Sequence, residues 1–142
     1  MTKRTSSNYI SQLIQKGDEL NRELKKIRKL LGSKSIDEKA IFILFKKLIN
    51  KYPANPEVLK SFLVFLQLLN DKDLLKKFSL KDIFRLYKKS CAVNKFDIDL
   101  NMEFFYFMYY VLDKESESLA LYENYKKAVL LSFKGFENRV EK

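Results

Sequence analysis

Apolar residues in the first part of the chain fall at Ile10, Leu13, Leu20, Leu24, Ile27 and Leu31, and Gly17 occupies the one missing place. The steps alternate between three and four residues, which is a heptad stripe down one face of a helix. Asp18 and Arg22 stand four apart and support that helix. Lys25, Lys26, Arg28 and Lys29 gather at its C-terminal end, where positive charge suits the helix dipole. Gly32 then stops it. The pattern predicts an amphipathic helix over 8–31 behind a disordered tail at 1–7.

The spacing stays helical to the end of the chain. Ser35 and Glu38 read as a capping box that opens a second helix through Ile41, Leu44, Phe45 and Leu48, ending near Pro53. Asn55-Pro56-Glu57 combines a cap, a proline at the first helical position and an acid in the first turn. It starts a third helix with Val58, Phe62, Phe65, Leu66 and Leu69 on one face. Asp71 caps a fourth, broken at Ser79, which brings its own cap with Asp82 three residues on. Leu80, Ile83, Phe84 and Tyr87 make the stripe there. A fifth helix is expected over Ile98–Asp113. A sixth opens after Ser116, carries Leu119, Leu121, Tyr122, Tyr125 and Val129, and frays at Gly135. With three Gly and two Pro in 142 residues, the chain lacks the turns that a sheet of this size needs.

The chain also repeats itself. Shifted by 42 residues, Phe45-Lys46-Lys47 falls on Tyr87-Lys88-Lys89, Phe62 on Phe104, Phe65 on Phe107, Leu66 on Met108 and Leu69 on Val111. Asp71-Lys72-Asp73 falls on Asp113-Lys114-Glu115, and Tyr125-Lys126-Lys127 is a third copy of the first signature. The expected architecture is all-α, about six helices in antiparallel αα-hairpins stacked as a short right-handed helical repeat. It forms one domain over 8–142, with the repeat-like hairpins at 36–140.

The stretch Phe45 to Glu57 resembles the junction between tetratricopeptide-type repeats, which end one helix at a Tyr-Pro turn (Tyr52-Pro53) and begin the next with Asn-Pro-Glu. Leu121 to Ala128 is similar to the second helix of a half-a-TPR unit. The resemblance covers roughly residues 36–134. It departs from the family in its period of 42 rather than about 34 residues and in having no Trp. What it implies is αα-hairpin stacking and a binding platform; it assigns no functional residue.

The net charge of +10 and pI near 9.6 change the picture toward acidic partners, nucleic acid included. Only five of the 28 basic residues are Arg, the side chain suited to bidentate contacts with bases and phosphate. With no His, neither a His-based acid–base pair nor a His zinc site is available. The single Cys91 excludes an internal disulfide and suits a reducing compartment, so a cytoplasmic location is expected. No stretch has the ~20 apolar residues of a membrane span. The sequence carries no phosphate loop, metal-ligand spacing or nucleophile motif. No catalytic residue, cofactor or metal is expected.

The densest chemistry is aromatic, Phe104-Phe105-Tyr106-Phe107-Met108-Tyr109-Tyr110. If Phe104, Phe107 and Val111 form the core stripe, Tyr106, Tyr109 and Tyr110 cannot all share it. Tyrosine tolerates a half-wet position with its ring buried and its hydroxyl solvated. With Lys60 and Gln67, which lie off the core stripe of the third helix, these tyrosines are the expected partner-binding residues. Lys25, Lys26, Arg28 and Lys29 are candidates for phosphate contact. The expected function is non-enzymatic: a protein- or peptide-binding adaptor or scaffold, monomeric or weakly dimeric. The alternative is a basic RNA- or DNA-binding protein or a small ribonucleoprotein subunit.

Overall fold

The computed structural model describes residues 2–141, with side chains from residue 8 onward. The protein is all-α, with no strand among the described residues. Its helices are α1 (Thr2–Leu31), α2 (Glu38–Lys51), α3 (Pro56–Gln67), α4 (Lys72–Leu75), α5 (Leu80–Val93), α6 (Ile98–Tyr106) and α7 (Glu115–Val140). A π-helical turn, Phe107–Val111, continues α6. The backbone falls into two compact units, Met1–Pro53 and Ala54–Lys142, a division inside the stretch read from the sequence as one domain over 8–142. Helical backbone begins at Thr2 rather than at Asn8, so the tail expected at 1–7 is helical from its second residue; Met1 lies outside the described residues.

In the first unit α1 and α2 pack as an antiparallel pair. Gly32 ends α1 without a left-handed backbone, and the Ser33 hydroxyl donates to the Leu30 carbonyl that the helix leaves open. The cap of α2 is not Ser35. Asp37 takes that role, its carboxylate accepting from the Ala40 amide at 3.1 Å, while Ser35 offers its carbonyl to Ser33. At the far end, Lys51 meets Glu19 at 3.3 Å and the Tyr52 hydroxyl donates to the Lys16 carbonyl. α2 has 14 residues and α1 has 30, about 21 Å against 45 Å at 1.5 Å per residue. The heptad stripe is therefore covered only in part. Leu24 and Ile27 are buried, whereas Ile10 and Leu13 remain exposed beyond the end of α2.

In the second unit α3 packs on α5 and α6, α5 on α6, and α6 with its π turn on α7. The starts follow local chemistry. Asn55 accepts from the amides of Glu57 and Val58, with Pro56 at the first position. Ser79 and Asp82 form a reciprocal capping box. Asp97 caps α6 and Asp71 caps α4. Tyr87 is the hub of the core. Its ring stacks on Phe104 (centroids 5.6 Å apart) and packs against Phe107 (5.1 Å). Gln67 donates to its hydroxyl at 2.8 Å, which satisfies the one polar atom of a fully buried ring.

Two boundaries differ from expectation. α7 starts at Glu115, not after Ser116, and runs through Gly135 to Val140 without fraying. Its inward face is Ser118, Tyr122, Tyr125 and Val129, while Leu119 and Leu121 are exposed.

α5 begins and ends 42 residues after α2 (38 to 80, 51 to 93), and α6 begins 42 residues after α3 (56 to 98). The buried positions of α3 are Val58, Leu59, Phe62, Leu63, Phe65 and Leu66. Those of α6 and its π turn are Leu100, Asn101, Phe104, Phe105, Phe107 and Met108, each at the same offset.

Candidate functional site

The site is built where the α-helical ladder of α6 gives way to the π turn. The Leu112 amide donates to the Phe107 carbonyl five residues back, and the Lys114 amide to the Met108 carbonyl six back. Between them Asp113 adopts a left-handed backbone, φ 55°, the conformation that closes helix ends and that Asp tolerates better than bulkier residues.

The wider turn changes which side chains share a face. Val111, expected to continue the Phe104–Phe107 stripe, is 42% exposed. That expectation is corrected by geometry, because a π turn spends more residues per revolution than an α-helix and rotates the later positions out of register. Tyr106 and Tyr110 stack with centroids 6.3 Å apart at 27°, and Tyr109 meets Tyr110 edge-on at 4.8 Å. Tyr106 is 51% exposed and Tyr110 75%, while Tyr109 is half-buried.

Opposite this ledge lies α7. The Ser118 hydroxyl donates to the Phe105 carbonyl at 2.7 Å, and Phe105 packs against Tyr122 and Tyr125, holding α7 to α6. An open groove of about 300 Å³ results. Met102, Phe105, Tyr106, Tyr109 and Tyr110 form one wall; Ser118, Leu119 and Tyr122 form the other. No charged side chain lines it. The groove offers apolar surface and phenol hydroxyls, which suits an inserted apolar or aromatic side chain with hydrogen bonds at its rim.

The remaining expected residues lie elsewhere. Gln67 is committed to Tyr87 and to the Leu63 carbonyl. Lys60 is half-buried and faces Glu57 at 3.8 Å and Asp99 at 4.0 Å. Neither lines the tyrosine groove. Lys25, Lys26, Arg28 and Lys29 are exposed on α1. Of these, Lys26 lines a cavity of about 380 Å³ between α1 and α2, together with Glu19, Glu23, Lys47 and Lys51. Its lysines stand beside two glutamates, and Lys51 is paired with Glu19.

Sequence reasoning missed Met102, Phe105, Ser118, Leu119 and Tyr122 as groove residues. Leu119 and Tyr122 belong to the periodic pattern of the last helix, and nothing in the sequence places that helix beside the tyrosines. Among the described residues no cluster could hold a metal ion, and no helix is long and apolar enough to cross a membrane.

No family model matches the chain, and no curated protein or solved structure matches it.

Proposed function

We propose that this protein is a non-enzymatic interaction module, a short helical repeat acting as an adaptor or scaffold, whose partner is a protein or peptide seated in the tyrosine groove. One observation carries the reading. Three tyrosines on one edge of α6 and its π turn stand at least half open to solvent or line an uncharged groove, although aromatic side chains of that size are normally recruited to a core. Tyrosine is, with Trp and Arg, among the side chains enriched at the anchor positions of interfaces. The 42-residue recurrence of caps and buried positions supports the stacked-hairpin part of the reading and its likeness to tetratricopeptide-type platforms. A cytoplasmic location goes with it, on the lone thiol of Cys91.

The test is selection of displayed peptides against the full chain. Selected peptides are expected to share an aromatic or bulky apolar anchor. Tyr109→Ala should weaken them by about 1 kcal/mol or more while leaving the thermal midpoint nearly unchanged, and affinity should vary little with salt.

The net charge of +10 favours a second reading, a basic RNA-binding protein. Its signature is tight binding of single-stranded RNA at low salt that falls steeply as salt rises. The uncharged lining of the groove favours the first reading over this one.

A further inference from the structure

α7 outruns the helix it packs on. Its first half is held against α6 through Ser118, Tyr122 and Tyr125. The same face continues as Val129, Phe133, Phe136 and Val140, at steps of four, three and four. Phe133 is 56% and Phe136 66% exposed, and Val140 is exposed as well. An apolar seam continuous with an existing helix–helix interface thus lies open along the second half of α7.

Two observations say what fits it. The first is charge. α2 has Lys39, Lys46, Lys47 and Lys51 against Glu38, and α5 has Lys81, Arg85, Lys88 and Lys89 against Asp82, so each carries net +3. Lys126–Val140 has Lys126, Lys127, Lys134 and Arg139 against Glu137, again net +3. The helix that packs on α5 from the C-terminal side is α6, whose charged residues are Asp99 and Glu103 alone. In that pair a basic helix packs on an acidic one, whereas α3, which follows α2 in the chain, is neutral with Glu57 and Lys60. The second is spacing. At 100° per residue the four seam residues span about 60° of the circumference. Leu130 flanks the seam about 60° beyond Phe133, and Leu131 lies about 160° beyond it. Apolar residues at steps of three and four match a partner helix.

We infer that the second half of α7 is an open stacking face, and that it takes an acidic amphipathic helix of a partner protein in the place α6 holds against α5. This rests on the helical-repeat reading above, at a surface separate from the tyrosine groove. A second copy of the chain would bring net +3 against net +3, and so fits less well.

The probe is a labelled synthetic helix that keeps the α3 pattern Val58, Leu59, Phe62, Leu63, Phe65 and Leu66 and has Glu at the other positions. It is titrated into the full chain by fluorescence anisotropy. The expected result is saturable binding, weakened about tenfold or more by Phe136→Asp and by replacing the probe's Glu with Lys. Tyr110→Ala should leave it unchanged. Phe136 is exposed, so its substitution should not unfold the protein, and an unchanged circular dichroism spectrum checks this.

No binding to the native chain, or equal binding by Phe136→Asp, overturns the inference. So does a native dimer in sedimentation that Phe136→Asp dissolves, which would make a second copy the occupant. Capture of the chain by anionic vesicles in place of the probe overturns it too. Loss of probe binding in Tyr110→Ala alone would put the probe in the tyrosine groove: this inference would fail and the proposed function would stand.

Discussion

Tyr125 shows how a single atom reports on the fit of a helix. Its hydroxyl is buried with no hydrogen-bond partner among the described residues, whereas the hydroxyl of Tyr87 accepts from Gln67. A shielded hydroxyl without a partner loses its hydrogen bonds to water and gains nothing in exchange. In the repeat register the first copy has Phe45 at this place, already free of the polar atom. Tyr125→Phe should therefore leave stability unchanged or raise it by up to about 1 kcal/mol, read as the midpoint of urea unfolding. A loss of more than that would mean that the hydroxyl has a partner in solution.

Cys91 makes a second residue-scale prediction. Burial pushes its thiol up to about 12 from an ordinary value of 9.0, and it sits 3.8 Å from the Leu100 carbonyl. Burial also raises the Tyr87 phenol above its ordinary range. Both groups are neutral when protonated, so the unfolded chain releases protons at lower pH than the folded one. Their contribution is complete below pH 9 and falls as pH rises from there toward 12. Unfolding midpoints measured between pH 7 and 11 should be flat at first and then decline. In Cys91→Ala the decline should be shallower. Native Cys91 should also resist alkylation, because the thiolate is the reactive form.

At the scale of elements, the caps were legible and the irregularities were not. Asn55-Pro56-Glu57 and the Ser79–Asp82 box act locally, through side chains that reach amides two or three residues away, and sequence reveals such contacts directly. Ser35 failed as a cap because Asp37 stood closer to the first free amides. The π turn has no sequence signature: it lies where α6 packs on α7, a contact between distant residues that no local pattern records. The geometry there, Val111 turned outward and Tyr106 stacked on Tyr110, was legible only in part. The tyrosines could be kept off the core stripe by counting, but their wall on α7 could not be foreseen.

Gly135 illustrates the same limit. It sits inside α7 in a helical backbone, with open space where a Cβ would stand. Glycine there costs the helix about 1 kcal/mol against alanine. Gly135→Ala should accordingly increase helicity and slow amide exchange over Ser132–Asn138. Unchanged exchange would mean that this part of α7 does not persist as a helix in the free protein.

At the scale of the whole molecule, the all-α class followed from spacing and from the shortage of Gly and Pro, and the structure bears it out. The internal recurrence was visible in side chains and reappears in helix limits and buried positions; stacking of those pairs as a repeat is part of the proposal. If Phe65 and Phe107 are equivalent, Phe→Ala at either should cost a similar amount, about 3–5 kcal/mol, measured by urea unfolding. A small effect at one of them would break the equivalence. Division into two units was not read from sequence, because the apolar faces continue across Pro53 without a change of composition.

The central claim is that the tyrosine groove is where a partner sits. Hydrogen–deuterium exchange of the full chain with and without a selected peptide tests it most directly. The account predicts slower exchange over Met102–Tyr110 and Ser118–Tyr122, with Lys25–Lys29 and Lys60–Gln67 unchanged. Protection confined to either of those latter segments would contradict it.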